Sequence, residues 1–153
     1  MRGVDTNVLV RFLVGDDPGQ ASRAASLFAR ATAEGERLFV AQIVVCELVW
    51  VLGYAYDKSR SEIAAGLETL LRARQLTFED VDQVGAALER FAAGDGDLAD
   101  WLIWERSRAA GAERVVTFDG RLLRSPEFVK AQTLDPVPPA HGRPPNRRPV
   151  RGP

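Results

Sequence analysis

Short apolar segments alternating with longer helical stretches limit this chain to few architectures. Leu38-Phe39-Val40, Leu76-Thr77-Phe78 and Val115-Val116-Thr117-Phe118 each have the length and composition of a short strand. Residues 1–4 form a fourth such segment and run directly into Asp5-Thr6-Asn7. The stretches between them carry helix punctuation. Gly15 closes the apolar stretch Val8–Val14, and Asp17-Pro18 pairs an N-cap with a proline in the first turn, opening a helix that runs to Gly35. A helix is expected from Gln42 to about Tyr56. Ser59-x-x-Glu62 is a capping box ahead of Ile63, Leu67, Leu70 and Leu71. Asp80 is placed to cap a helix carrying Val81, Val84, Leu88 and Phe91 before Gly94, and Gly111 stops another that spans Leu98 to Ala110. Gln132-Thr133-Leu134 reads as a last extended piece, and there is no internal repeat. Strands separated by helices predict an α/β fold with a parallel sheet, whose ligands bind beyond the carboxyl ends of the strands.

Within this pattern Glu47 stands out. It is the only charged residue in Ile43-Val44-Val45-Cys46-Glu47-Leu48-Val49-Trp50-Val51-Leu52. A run this apolar is expected to be buried, and a carboxylate carried into it must be neutralised, paired or bound to a metal. No Lys or Arg lies nearby in sequence to pair with it.

At 153 residues, 46% hydrophobic and 27% charged, the chain has the size and balance of one globular domain. No apolar run is long enough to span a membrane, and no secretory signal is visible, so the cytoplasm is the expected location. The single cysteine, Cys46, excludes an intramolecular disulfide and reads as inert packing. The net charge of −1 hides an asymmetry. Residues 136–153 hold Arg143, Arg147, Arg148 and Arg151 and no acid; setting those four aside leaves 16 basic against 21 acidic residues, a net of −5. The body is therefore not a general binder of nucleic acid, and any polyanion would have to approach a locally arranged groove. The Pro/Arg-rich segment 136–153 reads as a disordered or extended tail to a domain spanning 1–135.

The acids fall where an α/β sheet binds its ligands. Asp5 follows the first strand, Asp119 ends the Val115–Phe118 strand, and Glu47 projects from the first turns of the helix after the second strand. Asp97 and Asp100 flank the start of the Leu98–Ala110 helix, three residues apart and on one face. At ~5 Å and an effective dielectric constant of ~20, each ionised pair costs roughly 3 kcal/mol. Either some of these carboxyls are protonated, or a hard cation sits among them; oxygen-only ligation suits Mg²⁺ or Mn²⁺. Such a site fits metal-assisted hydrolysis of a phosphodiester. The only histidine, His141, lies in the tail, which excludes a two-histidine ribonuclease and a Ser-His-Asp triad in the body. There is no phosphate-binding P-loop.

These residues resemble the PIN-domain family, specifically the VapC-like toxin ribonucleases of bacterial toxin–antitoxin pairs. Val4-Asp5-Thr6-Asn7-Val8-Leu9-Val10-Arg11-Phe12-Leu13 is similar to the first acidic motif of that family, and Val44-Val45-Cys46-Glu47-Leu48-Val49-Trp50-Val51-Leu52 to its glutamate helix. Gly96-Asp97-Leu98-Ala99-Asp100-Trp101-Leu102-Ile103 resembles the third motif, with Leu98 where phenylalanine is usual, and Val116-Thr117-Phe118-Asp119 the fourth. The resemblance covers residues 1–135. It implies a three-layer α/β sandwich with a short central parallel sheet flanked by helices, and cleavage of RNA by water activated on Mg²⁺ or Mn²⁺. Asp5, Glu47 and Asp100 would be the principal metal-binding carboxylates, and Asp119 would complete the site or orient the attacking water. Thr6, Asn7 and Thr117 would hold these carboxylates by hydrogen bonds, and Asp97 would cap its helix, support the site, or both. Homodimers and inhibition by a small antitoxin protein are also implied.

Other readings of single residues stay open. Asp5 could simply cap the next helix, and Asp119-Gly120 is also an ordinary turn signal. Trp101 and Trp104 are expected in the core or an interface, and Arg11 and Arg121 either contact RNA phosphate or are merely solvated. A phosphoryl-accepting receiver domain needs a lysine near its last strands, and none follows Phe118 before Lys130. The alternative to the nuclease is a catalytically silent PIN-like module that binds RNA or protein.

Overall fold

The computed structural model describes residues 1–131. The expected strand at Gln132-Thr133-Leu134, the boundary at residue 135, His141 and the Arg-bearing tail lie outside the described residues. The chain folds as α/β, with every strand pairing parallel. β1 (Arg2–Gly3), β2 (Leu38–Val40) and β3 (Leu76–Phe78) form one sheet in the order β1-β2-β3. Its register sets Arg2 against Leu38, and Leu38 against Leu76. β4 (Val115–Thr117) pairs with β5 (Phe128–Lys130), with Val115 opposite Phe128.

Six helices connect and cover these strands: α1 (Thr6–Val14), α2 (Pro18–Glu34), α3 (Gln42–Tyr54), α4 (Arg60–Leu71), α5 (Val81–Ala92) and α6 (Leu98–Ala109). Their limits follow local chemistry. Asp5 and Asp17 accept the backbone N–H groups of Val8 and Gln20, satisfying donors left free at the starts of α1 and α2. Gly15 and Gly35 end those two helices in the left-handed conformation, at φ 70° and 63°. In the Ser59 capping box, Glu62 accepts the Ser59 N–H at 2.8 Å while the Ser59 hydroxyl accepts from the Glu62 N–H at 3.3 Å. Asp80 caps α5 through Gln83.

Leu38 and Val40 of β2 and Leu76 and Phe78 of β3 are buried. Leu9, Val45, Leu48, Leu67, Leu70, Val84, Leu98 and Trp101 pack around them in one core. Each large side chain fully removed from water contributes about 1.5–3 kcal/mol relative to exposure. Three strands of two or three residues thus hold their place chiefly through helices. Trp101 is buried in the core and Trp104 is partly buried against it, as expected.

Two expectations change. β5 carried no recognisable strand signal, being three residues that follow Pro126 and Glu127. Glu47 is exposed. The run around it is helical, and its apolar residues do not all face inward: Gln42, Val45, Leu48 and Leu52 are buried, while Ile43, Glu47, Trp50 and Tyr54 share the outer face. Glu47 therefore bears no cost of deep burial, and its importance must rest on its neighbours.

Candidate active site

The strand ends place the acids. Asp5 lies two residues beyond β1, Asp119 two beyond β4, and Glu79 directly after β3. Glu79 serves the scaffold: its carboxylate accepts the backbone N–H of Gln42 at 3.0 Å, capping α3, which the Ala41 side chain cannot do.

The candidate residues gather in two groups. In the first, Asp5 is exposed and its Oδ1 accepts the Val8 N–H at 3.0 Å. The next side chain, Thr6, is buried and donates its hydroxyl to Oε2 of Glu47, which ties the start of α1 to the second turn of α3. Asn7 is exposed and shares with Asp5 the wall of a cleft of about 300 Å³ between α1 and α2, where Arg11 and Arg23 also lie. Arg11 is committed elsewhere, to Asp16 at 2.6 Å and to the Tyr56 hydroxyl at 2.9 Å.

The second group surrounds the start of α6. Asp97 is the N-cap residue, and Asp100, one turn on, turns Oδ2 back to accept the Asp97 N–H at 3.0 Å. The loop before them is pinned by Arg60, whose Nη1 donates to the carbonyls of Phe91 at 2.7 Å and Gly96 at 2.9 Å. Gly96 adopts φ +52°, and a Cβ there would meet Leu122 Cδ2 at 3.0 Å and Asp100 Oδ2 at 3.4 Å. The positive φ and the close approach to Leu122 favour glycine at this position beside the acid. Across from them, the Thr117 hydroxyl accepts the Asp119 N–H at 3.0 Å, orienting the turn that follows β4.

Arg121 stands among these acids. Its guanidinium reaches Asp119 from Nη2 at 2.7 Å and from Nε at 3.1 Å, and its backbone N–H donates to Oδ1 at 2.8 Å. It also lies 4.0 Å from Asp97. The guanidinium bonds, followed by the backbone N–H, hold the Asp119 carboxyl below the usual carboxylate range. Asp119, Asp97 and Asp100 in turn raise the Arg121 pKa, Asp119 dominating.

All four principal candidates offer carboxylate oxygens, a donor set that suits a hard divalent cation in chemistry. The arrangement suits it less well: among the described residues, no three His, Cys, Asp or Glu side chains stand together as a cage for an ion. Thr6 bridges Asp5's helix to Glu47, Arg121 joins Asp119 to Asp97, and the cation nearest the second group is this arginine. Arg60 was not legible in the sequence; it is one arginine among many, and its acceptors are backbone carbonyls 31 and 36 residues away.

Residues 4–127 match the model of the PIN domain. The chain is also 29% identical over 124 residues to the VapC ribonuclease of Aquifex aeolicus (strain VF5), a match covering 81% of this chain and 91% of that protein.

Proposed function

The chain belongs to the PIN domain family, and from that premise we propose that it is an endoribonuclease toxin of the VapC type. It hydrolyses RNA phosphodiester bonds with Mg²⁺ or Mn²⁺, acts in the cytoplasm as a homodimer, and is restrained by a small antitoxin protein. What supports the reading is the match to a VapC ribonuclease over most of both chains, together with Asp5 and Asp119 just beyond strands and Glu47 and Asp100 in the early turns of helices. Among the described residues no helix is long and apolar enough to cross a membrane.

In this reading Asp5, Glu47, Asp100 and Asp119 are the catalytic carboxylates. When bound, a divalent cation supplies an acidified water and offsets charge on the scissile phosphate. The protein's own part is positional. Thr6 holds Glu47 in orientation, the Asp97 N–H fixes one oxygen of Asp100 and leaves the other available, and Thr117 sets the turn that carries Asp119. The exposure of Asp5 and Glu47 leaves them open to a polymer too large to enter a closed pocket. Asn7 and Arg23, on the cleft beside Asp5, are placed to meet the strand as it passes.

The direct test is cleavage of total cellular RNA by purified, antitoxin-free protein with Mg²⁺ or Mn²⁺, beside EDTA and Asp5→Asn controls. Metal-dependent cutting lost in the variant supports the nuclease. A folded protein that neither cuts RNA nor binds Mn²⁺ would leave the silent binding module as the better account.

A further inference from the structure

Among the described residues, Arg121 is the cation bonded directly to one of the four candidate carboxylates. Its guanidinium occupies the Asp119 carboxylate through both Nε and Nη2. Its backbone N–H takes a further bond to Oδ1. The same side chain lies beside Asp97 and within the electrostatic reach of Asp100. A planar fork on a carboxylate uses the lone pairs that a cation would use, so the two are alternatives at Asp119. The side chain is two-thirds exposed and can swing into solvent without leaving a cavity.

We propose that Arg121 is the resident counter-ion of the acidic site and competes with the divalent cation for Asp119, thereby setting the affinity of the cation. The inference rests on the reading of the site as a cation-dependent nuclease. With the arginine in place, the repulsion between Asp97, Asp100 and Asp119 is offset from within the chain. When a cation takes Asp119, the guanidinium is released at the rim of the site, with Asp97 still beside it.

The experiment measures Mn²⁺ binding by the full-length chain at low ionic strength, from the electron paramagnetic resonance signal of free Mn²⁺. Wild type is compared with Arg121→Ala, Asp119→Asn and the double variant; circular dichroism confirms that each is folded. Arg121→Ala is expected to tighten Mn²⁺ binding by about threefold or more, in keeping with the strength of a partly exposed ion pair. In the Asp119→Asn background the same substitution is expected to tighten binding much less, because the contested carboxylate is gone and only the through-space charge on Asp97 and Asp100 is left. Equal tightening in both backgrounds would mean only that a positive charge had been removed nearby, and would overturn the competition. Unchanged or weakened binding in Arg121→Ala, with wild-type binding abolished by Asp5→Asn, would overturn it and leave the nuclease standing. Failure of wild type and every variant to bind Mn²⁺ would overturn both the competition and the reading beneath it.

Discussion

Thr6 donates its hydroxyl to the carboxylate of Glu47 from 41 residues away, and it does so from a buried position while Glu47 itself is exposed. The bond joins the residue after Asp5 to the acid of α3, so two candidate catalytic groups on different helices share one rigid link. A carboxylate on the outer face of a helix would otherwise sample several rotamers. The buried hydroxyl selects one.

Replacing Thr6 with valine keeps the shape and removes the donor. Glu47 can turn to water, so the loss of stability is expected to be small, about 1 kcal/mol or less. RNA cleavage is expected to fall by roughly 10- to 100-fold, the range typical of groups that orient metal-binding side chains. Thr6→Ser, which restores the hydroxyl, should recover most of it. Parallel melting curves and cleavage rates decide the matter; a valine variant as active as wild type, with the loss confined to the serine variant, would show that the methyl group, not the hydrogen bond, was needed.

Asp5 has two separable tasks, capping α1 and supplying a carboxylate. Asparagine caps as well as aspartate does, whereas alanine at an N-cap costs about 1 kcal/mol. Asp5→Asn is therefore expected to melt with wild type and to be inactive. Asp5→Ala should be inactive and also less stable. An active, fully stable Asp5→Asn protein would reduce Asp5 to a cap.

Much of this fold was legible because its signals are local. Asp17-Pro18, the Ser59–Glu62 box, Asp80 and the closing glycines each act within one turn of their own position, and the helices begin and end beside them. Glu47 shows where a linear reading fails. Ten residues with a single charge suggest uniform burial, but a helix divides them by angle, so Ile43, Glu47, Trp50 and Tyr54 emerge together. β5 and the Arg60 bonds were hidden for a different reason. Their partners are set by tertiary placement, Phe128 on Val115 and Arg60 on Gly96, and nothing in the neighbouring sequence encodes it. The sequence leaves Arg121 as an RNA contact or a solvated side chain, and the fork it makes on Asp119 appears only in three dimensions.

The capping box of α4 makes a prediction about pH. The Ser59 N–H, then the Ser59 hydroxyl and Lys58, lower the Glu62 pKa from 4.5 to about 2. A carboxyl whose folded pKa is depressed adds stability above its unfolded pKa and loses it as pH falls toward the folded one. Wild type should thus melt above Glu62→Ala at neutral pH, and the gap should narrow between about pH 4.5 and pH 2. Below that window the ionic part of the advantage is gone. A gap that stays constant down to pH 2 would show that ionisation of Glu62 contributes nothing to it.

The outer face of α3 bears on assembly. Ile43, Trp50 and Tyr54 are 74%, 63% and 78% exposed, and Trp50 stacks on Tyr54 with ring centroids 5.0 Å apart. Below them, Cys46, Val49, Gly53 and Leu98 line a groove of about 560 Å³ between α3 and the start of α6, and Ile103 of α6 is exposed as well. In the proposed homodimer this surface offers exposed apolar area to remove from water, and aromatic side chains at the centre of such a surface typically contribute about 2 kcal/mol or more. Trp50→Ser is expected to weaken dimerisation by roughly thirtyfold or more on that basis, and Tyr54→Ala by a similar direction and smaller extent. Sedimentation equilibrium at micromolar concentrations reads both, with circular dichroism to confirm folding. A wild type that remains monomeric throughout, or a Trp50→Ser protein as dimeric as wild type, would remove α3 from the interface.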